Sequence, residues 1–246
     1  TPAAEAAQHR TRFLIHPLAM TLLRSAVFGI TGLMAFLTVD AVLAADWIPL
    51  SDVDLEVKAG SALDFSALND AGPAGKYGWA RPTVDGHIAF GKRPTPQRFL
   101  CASFAFSPIS GGMPTAEMGR RIAIQLRRAG YNLVRLHYVD AMLMSGRERD
   151  FDFDPAQLDR FFQFTAALKE QGIYWIVDGL TSDNGAYGFP DRNRWTRKYN
   201  LKLDLFTEAA AQAHWARLVT ELWGRKNPYT GLSTLQDPAL LGVILV

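Results

Sequence analysis

The segment GYNLVRLHYVD, residues 130–140, places ionisable side chains on what otherwise reads as a buried strand. Val134 and Leu136 alternate with Arg135 and His137. Because successive side chains of a strand point to opposite faces, one face is apolar and the other carries the arginine and the histidine. Burying an unpaired charge is costly, so these two side chains need partners. The segment therefore predicts a strand with one face in the core and one face in a site.

A repeating order of strand, loop, helix and glycine extends on both sides of this segment. The predicted strands are residues 98–106, 131–139, 173–180 and 241–246. The predicted helices follow the first three strands, in residues 113–130, residues 154–172 and from about residue 206 to 223. Strands that are apolar on both faces and alternate with helices predict a parallel sheet flanked by helices.

Capping residues and apolar spacing define the first two helices. The first has Pro114 near its start and Gly130 at its end. Its predicted apolar positions are Met118, Ile122, Leu126 and Ala129. In the second, Asp154 is the predicted N-cap ahead of a proline, and Gly172 ends the helix. Its predicted apolar side consists of Leu158, Phe161, Phe162, Phe164, Thr165 and Leu168.

Two α/β folds fit this order, a closed (β/α)8 TIM barrel and an open doubly wound sheet. No GxGxxG or GxxxxGK[ST] motif follows any strand, which removes the main signal for a nucleotide-binding open sheet. The barrel is therefore favoured. Four strands already occupy residues 98–246, so we expect this chain to hold about the first four βα units of a barrel, truncated at an apolar strand.

The region before residue 98 predicts three segments of different kinds. Residues 20–44 contain Arg24, an apolar run over residues 26–39 and small residues near Ala44, as in a secretory signal peptide. A membrane anchor is the alternative, but the run is short for a bilayer and Asp40 interrupts it. Residues 1–19 are expected to be upstream sequence. Residues 46–97 predict short strands, at 54–57 and 87–90 among others, in a β-rich cap or accessory module.

Domain boundaries and location follow from these segments. The expected division is residues 1–45 for the upstream segment and signal peptide, 46–97 for the β-rich segment and 98–246 for the half barrel. A cleaved signal predicts a secreted or periplasmic protein without stable membrane insertion.

Composition limits the classes of partner. The chain of 246 residues is 48% hydrophobic and 20% charged with a net charge of +2, so it is globular and gives no electrostatic case for nucleic acid. The five histidines lack metal-ligand spacing, so neither a metal nor another cofactor is expected. The single cysteine, Cys101, lies within a predicted strand and is expected to be a small core residue.

Three phrases together resemble the first half of the clan A glycoside hydrolases, within them the cellulase-like family 5. These phrases are GYNLVRLHYVD, DFDFDPAQLDRFFQFTAALKEQGIYWIVDGL and NPYTGLSTLQDPALLGVILV. The resemblance implies a TIM barrel, a retaining O-glycosyl hydrolase and a β-linked polysaccharide or oligosaccharide as substrate. It implies an acid/base glutamate in an Asn-Glu pair directly after Val246 and a nucleophile farther on. No catalytic residue is therefore expected in this chain, which we expect to be inactive alone.

The resemblance also implies substrate-binding residues. Arg135 is similar to the family's strand-two arginine beside the nucleophile, and His137 to a sugar-binding residue. The same mouth is expected to hold Asp140 and Asp178 at strand ends, with Tyr138, Tyr187 and Trp195 as rings for stacking on sugars. The chain departs from the family after Asp178, where glycine and leucine replace an expected histidine contact.

Other interpretations remain open at this point. In the alternative for the site residues, Arg135 and Asp178 form a buried ion pair between neighbouring strands, and His137 is bonded to a backbone carbonyl. At the level of the whole protein, the alternatives are a non-catalytic carbohydrate-binding protein on a degenerate barrel and an open-sheet enzyme of another kind.

Overall fold

The computed structural model describes Ser51, residues 55–180 and residues 201–245. The chain divides into two compact units, Thr1–Leu55 and Glu56–Val246. The expected upstream segment and signal peptide lie outside the described residues, so both stay predictions. Within the described ranges, no helix is both long enough and apolar enough to cross a membrane.

The β-rich segment forms a small antiparallel sheet. Its strands are β1 (Ala80–Pro82), β2 (Ile88–Phe90) and β3 (Arg93–Gln97), in the order β1-β2-β3. The turn between β1 and β2 is closed by Thr83, whose hydroxyl accepts a hydrogen bond from the backbone N–H of His87 at 2.9 Å. The strand predicted around residues 87–90 is therefore present.

The strand predicted at residues 54–57 is wrong at the three of these positions that the structure describes. Leu55, Glu56 and Val57 lie outside any strand. The backbone N–H of Val57 donates to the side chain of Gln125, and its carbonyl accepts from the guanidinium of Arg128. Side chains of a helix thus satisfy this backbone, and no neighbouring strand is needed.

The predicted apolar strands form one parallel sheet. They are β4 (Cys101–Ala105), β5 (Leu133–His137), β6 (Tyr174–Asp178) and β7 (Leu240–Ile244), in the order β4-β5-β6-β7. All three pairings are parallel. The register aligns Ser103 with Arg135, and Arg135 in turn with Ile176.

Helices connect these strands. They are α1 (Ala116–Arg128), α2 (Val139–Leu143), α3 (Pro155–Glu170), α4 (Leu201–Thr207) and α5 (Ala209–Leu218). A π-helical turn, Val219–Trp223, continues α5, and a 3-10 turn, Thr234–Gln236, precedes β7. Helices α1 and α3 pack against each other, so both lie on the same face of the sheet.

The strand order and the packing of α1 and α3 on one face of the sheet define the fold class. A doubly wound sheet reverses its strand order and has helices on both faces. Here every strand pairs with the next one along the chain, as in the (β/α)8 barrel. The predicted α/β fold with a parallel, barrel-type sheet is confirmed, and the structure describes four of its strands.

The core lies between the sheet and its helices. The sheet contributes Val134, Leu136 and Val177, which are fully buried, and Trp175, which is buried with them. The helix α3 begins at Asp154, whose carboxylate accepts hydrogen bonds from the backbone N–H groups of residues 156 and 157. All six predicted apolar positions of α3 are buried. The predicted cap and core face of this helix are therefore confirmed.

The predicted apolar face of α1 is partly wrong. Met118 is 45% exposed, whereas Gly119 and Ala123 are the buried residues of this helix. A Cβ atom at Gly119 would lie 3.2 Å from the ring of Phe164 in α3. Small residues let the two helices approach closely, while the predicted Ile122 and Leu126 are partly buried and pack against the core.

The third predicted helix is broken in the structure. Glu208 has φ −109° and ψ 115°, an extended conformation, and separates α4 from α5. Helix α4 begins at Leu201, earlier than the predicted start near residue 206. The alanine-rich sequence after Glu208 favours helix throughout, so local propensity gives no sign of the break.

The segment before β4 covers the amino ends of the parallel strands. The guanidinium of Arg127, at the end of α1, donates hydrogen bonds to the carbonyl oxygens of Ser66, Asn69 and Asp70. The rings of Phe90 and Tyr174 stack with centroids 4.7 Å apart at the start of β6. These contacts lie at the end of the sheet opposite Asp178. The boundary at residues 97 and 98 stays a prediction.

Candidate active site

The site is built at the carboxyl ends of β5 and β6. Val134 and Leu136 are fully buried on the helix side of β5, whereas Arg135 and His137 are only partly buried. Because side chains alternate along a strand, the arginine and the histidine project from the opposite face of the sheet. Asp178 ends β6, the neighbouring parallel strand. Adjacent parallel strands thus bring residues distant in sequence to one place.

Arg135 and Asp178 form a bidentate ion pair between the two strands. Nε of Arg135 donates to Oδ1 of Asp178, and Nη2 donates to Oδ2, each at 3.0 Å. The side chain of Asp178 is 2% exposed and that of Arg135 is 37% exposed. The hydrogen bonds to Asp178 raise the pKa of Arg135 further above its ordinary value. The guanidinium therefore stays charged and fixed in one plane.

His137 joins the same carboxylate. Its Nδ1 atom contacts Oδ2 of Asp178 and lies 3.3 Å from Nη2 of Arg135. The interpretation in which Arg135 pairs with Asp178 is thus the one that the structure gives. Its second part, a backbone carbonyl as the partner of His137, is wrong, because the aspartate takes that place.

Tyr138 follows His137 in a left-handed conformation. Its φ is 62° and its ψ is 26°, values that are uncommon for a residue with a side chain. The centroids of the His137 and Tyr138 rings are 3.7 Å apart, with the planes tilted by 53°. The unusual backbone turn lets the tyrosine ring lie against the imidazole. Backbone conformations of this kind cluster at functional sites.

The other predicted site residues are Asp140, Tyr187 and Trp195. Asp140 is 1% exposed in the first turn of α2, all of whose residues are buried. Trp195 lies outside the described residues, and so does Tyr187. The structure therefore brings Arg135, His137, Asp178 and Tyr138 together, and their assignment as substrate-binding residues stays a prediction.

The edge strand β4 contributes small residues that were not among the predicted site residues. Ser103 pairs in register with Arg135, and Ala105 with His137. Cys101, Ser103 and Ala105 are exposed and alternate with the partly buried Ala102 and Phe104. The sequence gives no clear sign of this alternation, because alanine lies on both faces and cysteine is usually a buried residue.

Cys101 corrects one expectation. It was expected in the core, but it is exposed. The reason is that β4 is an edge strand, and Cys101 belongs to the alternate set of its residues that is exposed. The partial burial that it does have raises the pKa of its thiol.

The described part of the chain offers no metal site. Among those residues, no three His, Cys, Asp or Glu side chains are grouped as ligands for an ion.

Comparison with known proteins gives similarity only at the level of solved structures. No family model matches the chain, and the search of curated proteins found no match. The endo-1,4-β-mannanase from Rhizomucor miehei is 15% identical, with a TM-score of 0.49, over 67% of this chain and 47% of that chain. A glycoside hydrolase family 5 mannosidase from Rhizomucor miehei is 11% identical, with a TM-score of 0.48, over 68% of this chain and 48% of that chain.

A third similar structure is the endo-β-1,4-mannanase from Thermotoga petrophila. It is 16% identical, with a TM-score of 0.41, over 59% of this chain and 34% of that chain. The chain thus spans less than half the length of each of these three structures.

Proposed function

We propose that this chain is the N-terminal part of the catalytic barrel of a retaining O-glycosyl hydrolase that acts on a β-linked polysaccharide or oligosaccharide. The observation that supports the proposal best is the Arg135–Asp178–His137 cluster at the carboxyl ends of neighbouring parallel strands. In barrels of this type, activity resides at that end. The phrases of sequence that resemble cellulase-like glycosidases include both strands of the cluster.

The cluster holds the side chains of Arg135 and His137 in position and does not itself cleave a glycosidic bond. A retaining mechanism needs two carboxyl groups about 5 Å apart, one as nucleophile and one as acid and base. Asp178 is the carboxylate of this cluster, and both its oxygens are engaged by Arg135 and His137. We therefore propose that the acid/base and the nucleophile are glutamates beyond Val246.

The decisive experiment compares this chain with a longer one. We expect the 246-residue chain to show no turnover of aryl β-glycosides, and the product of the continued reading frame to hydrolyse at least one soluble β-glycan. The continuation should begin with Asn-Glu, and replacing that glutamate by glutamine should abolish the activity. Turnover by the 246-residue chain would contradict the proposal that both catalytic carboxylates lie beyond it.

A non-catalytic carbohydrate-binding protein is the second candidate. The observation in its favour is that the carboxylate of the cluster is engaged by two neighbours and is not free to react. This candidate predicts that the longer protein binds a β-linked oligosaccharide in calorimetry but never cleaves it. A continued reading frame without the two glutamates would also favour it.

We also propose that residues 20–44 direct secretion, to the periplasm or outside the cell. The test is a fusion of residues 1–60 to an alkaline phosphatase that lacks its own signal and is active only after export. Replacement of two leucines in the apolar run by arginine should abolish the phosphatase activity. Equal activity of both fusions would overturn the export proposal.

A further inference from the structure

The carboxylate of Asp178 is buried and makes its contacts with Arg135 and His137. Its side chain is 2% exposed, and each oxygen accepts a hydrogen bond from Arg135 at 3.0 Å. Oδ2 also contacts Nδ1 of His137. A ligand from solvent would have to break the bidentate pair in order to reach either oxygen. Asp178 is therefore placed to position Arg135 and His137.

The contacts around Nδ1 of His137 specify which nitrogen carries hydrogen. A carboxylate oxygen only accepts hydrogen bonds, so an Nδ1 atom without hydrogen would set two lone pairs against each other. An N–H at Nδ1 instead donates to Oδ2 of Asp178. Nη2 of Arg135, at 3.3 Å, is the longer contact and already donates to the same oxygen. The Nδ1–H form is the one consistent with all three groups.

The opposite nitrogen then becomes the functional atom. In neutral imidazole, a hydrogen at Nδ1 leaves Nε2 as an acceptor. Among the described residues, no hydrogen bond is made by Nε2 of His137 or by Nη1 of Arg135. The histidine side chain remains 24% exposed and that of Arg135 37% exposed. An acceptor and a donor thus stand side by side.

We infer that Asp178 is a positioning residue that locks His137 in the Nδ1–H tautomer, so that Nε2 accepts and Arg135 donates to hydroxyl groups of one ligand. A hydroxyl group both donates and accepts, so a pair of neighbouring hydroxyls matches this arrangement. The identification of that ligand as a glycan rests on the proposed function, whereas the tautomer does not.

The test is a long-range ¹H–¹⁵N correlation spectrum of the full chain with ¹⁵N-labelled histidine, recorded above the pH at which the imidazole is charged. A His137→Gln variant assigns the signals. We expect Nδ1 of His137 to resonate as a protonated nitrogen and Nε2 as a bare one. In Asp178→Ala, this single-tautomer pattern should be lost, with both nitrogens moving to intermediate positions.

A matched control is available in a second buried aspartate. The Asp237 side chain is also 2% exposed, and both its oxygens accept from Lys169, at 2.7 and 2.8 Å. Asp237→Ala should lower stability but leave the His137 pattern unchanged.

Two results would overturn the inference. One is a bare Nδ1 in the unmodified chain, a measurement that stands even when Asp178→Ala does not fold. The other is an unchanged Nδ1–H pattern in a folded Asp178→Ala. Failure of the longer protein to bind or cleave any β-glycan while Nδ1–H is present would count against the proposed function alone.

Discussion

Arg135 holds Asp178 by two parallel hydrogen bonds, each 3.0 Å long, although 42 residues separate them in sequence. The pair ties β5 to β6 at the end of the sheet where the candidate site lies. Because the carboxylate is buried, the arginine is needed for more than ligand contact. Its removal has consequences for stability as well as for function.

We expect Arg135→Ala to destabilise the chain by about 1 to 3 kcal/mol. Breaking a fully buried pair costs roughly 3 to 5 kcal/mol because one charge is left unpaired, and the partial exposure of Arg135 reduces that cost. Urea denaturation measures the difference. Arg147→Ala is the control, because the Arg147–Asp152 pair is about one-third exposed on both sides. It should cost clearly less than Arg135→Ala, because exposed ion pairs contribute little to stability, and equal losses in both variants would contradict the prediction.

In the longer protein, we expect Arg135→Ala to lower kcat/KM about 100-fold, on the scale of a lost preorganised electrostatic contact. Assays are run without urea, at a temperature where circular dichroism shows that the variant is folded. Arg147→Ala should retain activity. An unchanged kcat/KM would remove Arg135 from the site.

Gly119 is expected to resist enlargement because α1 and α3 touch there. Gly119→Leu should destabilise the chain by about 1 to 3 kcal/mol, the cost of overpacking a filled interface. Phe164 is the residue that the new side chain would meet. Arg120→Leu, one position along on the exposed side of α1, serves as the control and should change stability by about 0.5 kcal/mol or less. Similar losses of stability in both variants would show that the contact between α1 and α3 does not restrict side-chain size at Gly119.

Asp64 should titrate unusually low. Hydrogen bonds from the hydroxyl of Ser66 at 2.5 Å and from the backbone N–H groups of Gly60 and Ser66 lower its pKa from 3.8 to about 2. Because the folded pKa lies below the unfolded one, the stabilisation is present above about pH 4 and is lost as the pH falls toward 2.

An NMR titration of the Asp64 carboxyl carbon measures this. Ser66→Ala should move its pKa upward toward the ordinary value, since the largest single cause of the shift is removed. Ser110→Ala, in the loop after β4, should leave it unchanged. A titration near pH 4 in the unmodified chain would show that the turn does not hold the carboxylate.

Cys101 should react with a maleimide in the native protein, because it is exposed on β4. Its raised pKa keeps the thiolate fraction low, so we expect labelling to be slower than that of free cysteine at pH 7 and to accelerate as the pH rises. Mass spectrometry follows the single adduct. Protein unfolded in guanidinium chloride supplies the fully accessible reference, and native protein that labels only after unfolding would place Cys101 in a core.

The sequence pattern was sufficient to predict the parallel strands, most of the helices and the fold class. Apolar runs such as that around Val134, the Asp154 cap and the glycine after each helix are local signals, and the structure confirms the parallel sheet that they imply. The need for a small residue at Gly119 and the side-chain partners of Val57 are not local signals, because each depends on a neighbour distant in sequence. The core position expected for Cys101 failed for the same reason, since an edge strand is defined only by what lies beside it.

For the site, the sequence by itself determined that Arg135 and His137 share one face of a strand, because alternation is a property of the extended backbone. Only the tertiary structure decided that Asp178 lies between them as a common partner, because parallel pairing sets the register of β5 against β6. That register converts three separate ionisable side chains into one hydrogen-bonded cluster.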